Sequence, residues 1–172
     1  GQIGDGTVTD RATPVAVPGI SAVACVAAGA NHSLAVKADG TVWAWGDNQY
    51  GQLGDDTTVG RFTPVAVSGL SGVTAVAAGS MHSLALKTDG TVWAWGANDY
   101  GQLGDTTTTG RGTPAIVAGL TGAVAVAAGG FHSLALKADG TVWAWGLIDS
   151  GQLGDGTRTD RLAAVMVSGL SD

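Results

Sequence analysis

Three histidines, His32, His82 and His132, stand 50 residues apart, and imidazole is the side chain best suited to ligate zinc or to move protons near neutral pH. Arg11, Arg61, Arg111 and Arg161 keep the same interval, and so do the carboxylates Asp5, Asp55, Asp105 and Asp155. The Asp-rich stretches at Asp55-Asp56 and from Asp155 to Asp160 offer oxygen ligands of the kind calcium takes. Cys25 offers one thiol. The regularity itself argues against chemistry, because a residue that recurs in every copy is a poor candidate for a unique catalytic role. Histidines at equivalent points of successive units are expected to stand too far apart to share a metal whose ligands must approach to about 2 Å. They are read as structural hydrogen-bonding groups. The aspartates are read as turn chemistry with local backbone bonds, and the arginines as partners of a loop Asp or carbonyl. Cys25 has Ala75 and Ala125 as its counterparts, so it is read as a small residue in an alanine site. The sequon Asn31-His32-Ser33 occurs in one copy and abuts a strand, which is how a chance match looks. There is no nucleophile, base and orienter set, no phosphate-binding glycine loop and no paired carboxylate peculiar to one copy. The expectation is a non-enzyme with no cofactor and no metal.

The period organises the whole chain. Trp43, Trp93 and Trp143 share it with Trp45, Trp95 and Trp145, and Gly51-Gln52-Leu53-Gly54-Asp55 returns at 101, at 151 and, with Ile3 for leucine, at 1. A fixed interval of this size marks one supersecondary unit stacked many times. Of the 172 residues, 1–22 form a partial repeat, read as the edge strand of a preceding blade, and 23–72, 73–122 and 123–172 form three full units.

Composition sets the class. The chain has 29 glycines and only 13% charged residues, and its 14 acidic residues are all aspartate. Aspartate and glycine favour turns, whereas glutamate favours helix interiors. The net charge of −6, with lysine and arginine together numbering 8, provides no basic patch to neutralise phosphate. Binding to nucleic acid or to an anionic membrane is therefore not expected, and no apolar run reaches the roughly 18 residues a spanning helix needs.

Within one unit, Val23 to Ala28 (VACVAA) is a short run of small apolar residues and His32 to Lys37 (HSLAVK) alternates with period two. Ala38-Asp39-Gly40 signals a tight hairpin, Thr41 to Trp45 (TVWAW) is a third strand, and Gly46 to Gly60 is a long loop. Thr63 to Val67 is a fourth strand, placed at a sheet edge because Pro64 cannot donate to a ladder. The same edge pattern is expected at 13–17, 113–117 and 163–167. Four short antiparallel strands per unit predict all-β blades of a β-propeller. Trp43 and Trp45 should share one face and Val42 and Ala44 the other, so each blade sets a bulky face against its neighbour's small one. About three and a half repeats would make an incomplete propeller or a fragment.

The motifs Gly-x-x-His-Ser-Leu-Ala at Gly29 to Ala35, Asp-Gly-x-Val-x-x-Trp-Gly at Asp39 to Gly46, Gly-Gln-Leu-Gly at Gly51 to Gly54 and Arg-x-x-Pro at Arg61 to Pro64 together resemble the regulator of chromosome condensation repeat family, over essentially the whole chain. The resemblance implies a propeller, typically of seven blades, that acts mostly through protein partners. It also brings nucleotide exchange on a small GTPase, which in the founding member uses a projecting feature outside the regular repeat. The uniform spacing here leaves no room for such a feature.

Function is sought where the copies differ. Ala30-Asn31 becomes Ser80-Met81 and Gly130-Phe131; Asp47 to Tyr50 becomes Ala97 to Tyr100 and Leu147 to Ser150; Phe62 becomes Gly112 and Leu162. Antiparallel strand order puts these sites on one side, opposite the uniform Asp-Gly hairpins. The candidate partner-binding residues are Asn31, Tyr50, Phe62, Met81, Tyr100, Phe131, Leu147 and Ile148. The primary expectation is a scaffold that binds another protein through this loop side. The alternative is a self-assembling structural repeat, since near-identical copies with little lysine suit an exported bacterial array, secreted or at the cell surface. Closure by further copies, or by the remaining repeats of a longer propeller, follows from the exposed end faces.

Overall fold

The structure, a computed structural model, describes residues 1–169. Twelve strands form three four-stranded antiparallel sheets. The first blade holds β1 (Val23–Ala28), β2 (His32–Lys37), β3 (Val42–Gly46) and β4 (Arg61–Ala66), in that spatial order. The second holds β5 (Val73–Ala78), β6 (His82–Lys87), β7 (Val92–Gly96) and β8 (Arg111–Ile116), and the third β9 (Ala123–Ala128), β10 (His132–Lys137), β11 (Val142–Gly146) and β12 (Arg161–Met166). Among the described residues there is no helix.

Each sheet is built locally. Asp39 accepts from both the Thr41 amide and the Thr41 hydroxyl, at 3.0 and 2.6 Å, while Gly40 turns the chain with φ of 77°. This fixes the hairpin between β2 and β3, and with it the register that sets Leu34 against Ala44. The outer strand starts at Arg61, earlier than its sequence pattern suggests, because Arg61 pairs with Gly46 across a bulge. The edge position expected from Pro64 holds, since β4, β8 and β12 are each terminal in their sheets.

One expected strand is not formed. Residues 13–17 carry the same Thr-Pro-Val-Ala-Val sequence as the first blade's edge, yet they make no ladder. A strand needs a neighbour to take its backbone groups, and among the described residues no strand pairs with 13–17.

The blades stack as the tryptophan pattern predicts. Leu34, Val36, Val42 and Ala44 of the first blade bury against Ala85, Trp93 and Trp95 of the second. Leu84, Leu86, Val92 and Ala94 of the second bury against Ala135, Trp143 and Trp145 of the third. The innermost strands converge, and a cavity of about 230 Å³ is lined by Gly29, Gly79 and Gly129 together with the alanines beside them. Cys25 is half-buried in the packed surface around Val36 and Trp93, with its sulfur 3.7 Å from the Thr74 carbonyl. Among the described residues no helix is long and apolar enough to cross a membrane.

Candidate functional site

The recurrent polar residues clamp one blade to the next. Ser83 Oγ donates to the Gln52 carbonyl at 2.8 Å, and Trp95 Nε1 donates to the same oxygen at 2.8 Å. With its single proton committed, the Ser83 hydroxyl can only accept from His32 Nε2, 2.9 Å away. His32 is therefore a neutral Nε2–H tautomer. The arrangement repeats as His82 to Ser133 at 3.0 Å, with Ser133 and Trp145 both on the Gln102 carbonyl at 2.9 Å. Ser33 and Trp45 reach the Gln2 carbonyl in the same way, so residues 1–4 cover the first blade. Burial drives the His32 pKa down to about 4 and that of His82 to about 3. Neither ring is suited to take a second proton, and a Cβ at Gly79 would collide with the His82 ring.

The long loops are anchored rather than free. Asn48, Gln52 and Leu53 are fully buried. Asn48 Nδ2 donates to Asp55 Oδ1 and to the Thr57 and Val59 carbonyls at 3.0–3.1 Å, and Asn48 Oδ1 accepts from the Leu53 amide at 2.9 Å. Asn98 does the same in the second blade. Asp55 accepts from Thr57 through one oxygen and from Arg61 through the other. Hydrogen bonds from Thr57, Arg61 and Asn48 outweigh the burial of Asp55 and hold its carboxyl below the usual range. The Asp5, Asp105 and Asp155 carboxylates pair with Arg11, Arg111 and Arg161. Asp5, Asp55, Asp105 and Asp155 thus spend their oxygens on turns and arginines, and among the described residues no three His, Cys, Asp or Glu side chains cluster as metal ligands.

Both variable loops open on one side. The Asp47 amide donates to the Asn31 carbonyl, Ala97 to Met81 and Leu147 to Phe131, so the β1–β2 loop of each blade abuts its own long loop. Between blades, the Tyr100 and Phe131 rings meet edge to face, with centroids 5.5 Å apart. Tyr50, Tyr100, Phe131 and Asn31 are exposed, and Met81 and Leu147 are half-buried. Phe62 is half exposed but leans on Gly1; its counterparts Gly112 and Leu162 lean on Gly51 and Gly101. Beside it, Asn31, Asp47 and Phe62 line a cavity of about 300 Å³ with Gly1 and Gln2.

Ile148 is a correction. It is fully buried against Ala144 and Leu153, so it is no exposed contact. It occupies the place of Asn48 and Asn98, exchanging a hydrogen-bonded anchor for an apolar one. The sequence missed Asn48 and Asn98 as anchors because they sit inside a variable stretch; their shared identity at a 50-residue interval was the available signal.

A family model described as RCC1-like domain matches residues 1–171. Among solved structures, human WBSCR16 is similar at 28% identity and a TM-score of 0.76, over 85% of this chain and 38% of that one. Prp20p from Saccharomyces cerevisiae is similar at 26% identity and 0.76, over 88% and 39%. Yeast RCC1 (Prp20) bound to Kap60 is similar at 25% identity and 0.83, over 98% and 43%. This chain spans about two fifths of the length of these structures. No curated protein matches it. The all-β blades, their indole-to-aliphatic stacking and the match over nearly every residue place the chain in the RCC1-like domain family.

Proposed function

We propose that this chain is a non-enzymatic scaffold that holds another protein against the loop side of its blades. The observation that carries this reading is the edge-to-face pair of Tyr100 and Phe131, two half-exposed rings from different blades. Tyr50 and Met81 stand at the corresponding positions one repeat earlier. Aromatic and methionine side chains are the types that anchor protein interfaces. The opposite side carries three copies of one Lys-x-Asp-Gly hairpin and no such variation. A protein partner is also in keeping with the solved relatives, since Prp20p was characterised for binding to Gsp1p and histones and yeast RCC1 was solved with Kap60.

The test is capture of partners by the wild-type chain and by a Met81→Asp, Tyr100→Asp, Phe131→Asp variant, with a Lys37→Glu, Lys87→Glu variant as the hairpin-side control. Loss in the first variant alone supports the loop side; equal binding by all three overturns it. A nucleotide-exchange assay on a small GTPase separates this scaffold from the exchange activity associated with the family.

A second contact is supported at the third blade. Leu134, Leu136 and Val142 present the surface whose counterparts receive Trp95 and Trp145, and Leu136 is 38% exposed. His132 and the Gln152 carbonyl hold the positions that grip Ser83 and Ser133 at the two inner junctions. We propose that this face takes a further blade of the same repeat. Light scattering checks whether a second copy supplies it: a discrete oligomer lost in Leu136→Asp supports self-assembly, and monomers throughout rule it out.

A further inference from the structure

We propose that the partner seated on the loop side is a basic protein segment, rich in lysine or arginine and carrying apolar anchors; this rests on the loop-side reading above. The argument comes from how charge is divided between the two sides. The hairpin side holds Lys37, Lys87 and Lys137, each beside an aspartate two residues on, at 3.5 to 4.0 Å. Those charges cancel pairwise, and each lysine also lies over a tryptophan ring, at 5.2 to 5.7 Å from its centroid. The segments that form the loop side hold ten aspartates and five arginines, so nearly the whole negative charge of the chain lies there.

That excess is not consumed by the loops themselves. Four of the aspartates pair with Arg11, Arg61, Arg111 and Arg161. Asp47 and Asp149 accept from the side-chain amides of Gln52 and Gln152, and Asp160 from the Ile148 backbone amide, none of which neutralises charge, while the exposed Arg158 offsets one of them. Asp10, Asp56 and Asp99 are exposed and, among the described residues, make no side-chain hydrogen bond or ion pair. Asp99 is the residue before Tyr100, so a free carboxylate borders the Tyr100–Phe131 pair. An apolar ridge with a like-charged border repels acidic partners and steers basic ones. The ridge provides the contact area and the border selects the sign.

The probes are two fluorescent peptides, one of lysine and leucine and one of glutamate and leucine, together with polylysine. They are titrated by anisotropy into the wild-type chain, an Asp56→Lys, Asp99→Lys variant and a Tyr100→Asp, Phe131→Asp variant. The expected result is binding of the lysine–leucine peptide and none of the glutamate one. Affinity should fall about ten-fold in the charge variant and weaken as salt is raised. Equal affinity in wild type and charge variant, or polylysine binding as well as the mixed peptide, overturns the inference. If natural partners are captured through Met81, Tyr100 and Phe131 but are indifferent to Asp56 and Asp99, the loop-side reading stands and the basic partner falls. Neither aspartate side chain makes an internal bond, so a cooperative thermal transition shows that the charge variant is folded; a small drop in midpoint is expected because position 56 has φ of 63°, where aspartate is better tolerated than lysine.

Discussion

His82 Nε2 lies 3.0 Å from Ser133 Oγ, and the two residues belong to adjacent blades. Both are buried. The serine proton is already given to the Gln102 carbonyl, so this one hydroxyl joins an imidazole from the second blade to a loop carbonyl of the same blade, across the junction. Removing it strands a buried N–H donor. Ser133→Ala is expected to destabilise the chain by about 1–3 kcal/mol, read as a lower urea midpoint, and Ser83→Ala likewise. A smaller loss than Ser33→Ala, whose hydroxyl reaches only the Gln2 carbonyl, would contradict the clamp.

Acid should loosen the same junctions. His32 has a pKa near 4 and His82 near 3 in the folded chain, because burial disfavours the charged ring. Unfolded histidine binds its proton near 6.5. Below that value the unfolded chain holds more protons, so stability is full above about pH 6.5 and falls as pH drops toward 4, by about 1.4 kcal/mol per pH unit for each ring. The lowered carboxyls of Asp55 and Asp105 act further down: their stability is present above the unfolded value of 3.8 and is lost as pH falls through their lower folded values. Denaturant titrations at pH 7.5, 6 and 5 follow the histidine window, and one at pH 3 adds the carboxylates. A flat profile from 7.5 to 5 would show that the rings are not buried and neutral.

Asn98 closes the second long loop with one amide group. Its Nδ2 serves Asp105 and the Thr107 and Thr109 carbonyls, and its Oδ1 takes the Leu103 amide. Asn98→Ala should cost about 3 kcal/mol by leaving several of these groups unpaired. The same residue type is absent at Ile148, whose side chain packs on Leu153 while its backbone amide donates to Asp160 Oδ1 at 2.9 Å. Hydrogen exchange at the Leu103 amide is the direct check, with faster exchange expected in the variant.

Thr106 has φ of 69°, a region that a β-branched residue enters at a cost. The equivalent position is Asp56 with φ of 63°, and glycine at 6 and 156 with φ of 85° and 79°. Thr106→Gly should raise stability by about 1 kcal/mol or leave it unchanged after the entropy loss of glycine, whereas Thr106→Val should lower it. Thermal midpoints of the two variants settle the order.

Much of the architecture was legible because the chain repeats its own evidence. The indoles of Trp93 and Trp95 share a face by simple alternation, and Val42 and Ala44 face them for the same reason. The Asp39-Gly40 turn needs only its own neighbours to form. Residues 13–17 show where such reading stops: an edge pattern becomes a strand only if a partner strand lies beside it. Asn48 and Ile148 show the same limit for the site. Both looked like exposed variable loop, and both are buried, because the loop folds back on itself between blades.

Local pattern by itself determined the strands, the hairpins and which side chains share a face, since alternation and turn chemistry depend on residues close in sequence. Which groups meet across a junction was decided by tertiary structure. The His32–Ser83 bond spans 51 positions, and the Tyr100–Phe131 contact joins loops of different blades. Those meetings depend on the angle and spacing at which one sheet stacks on the next, which arise from packing of whole faces and are written in no single segment.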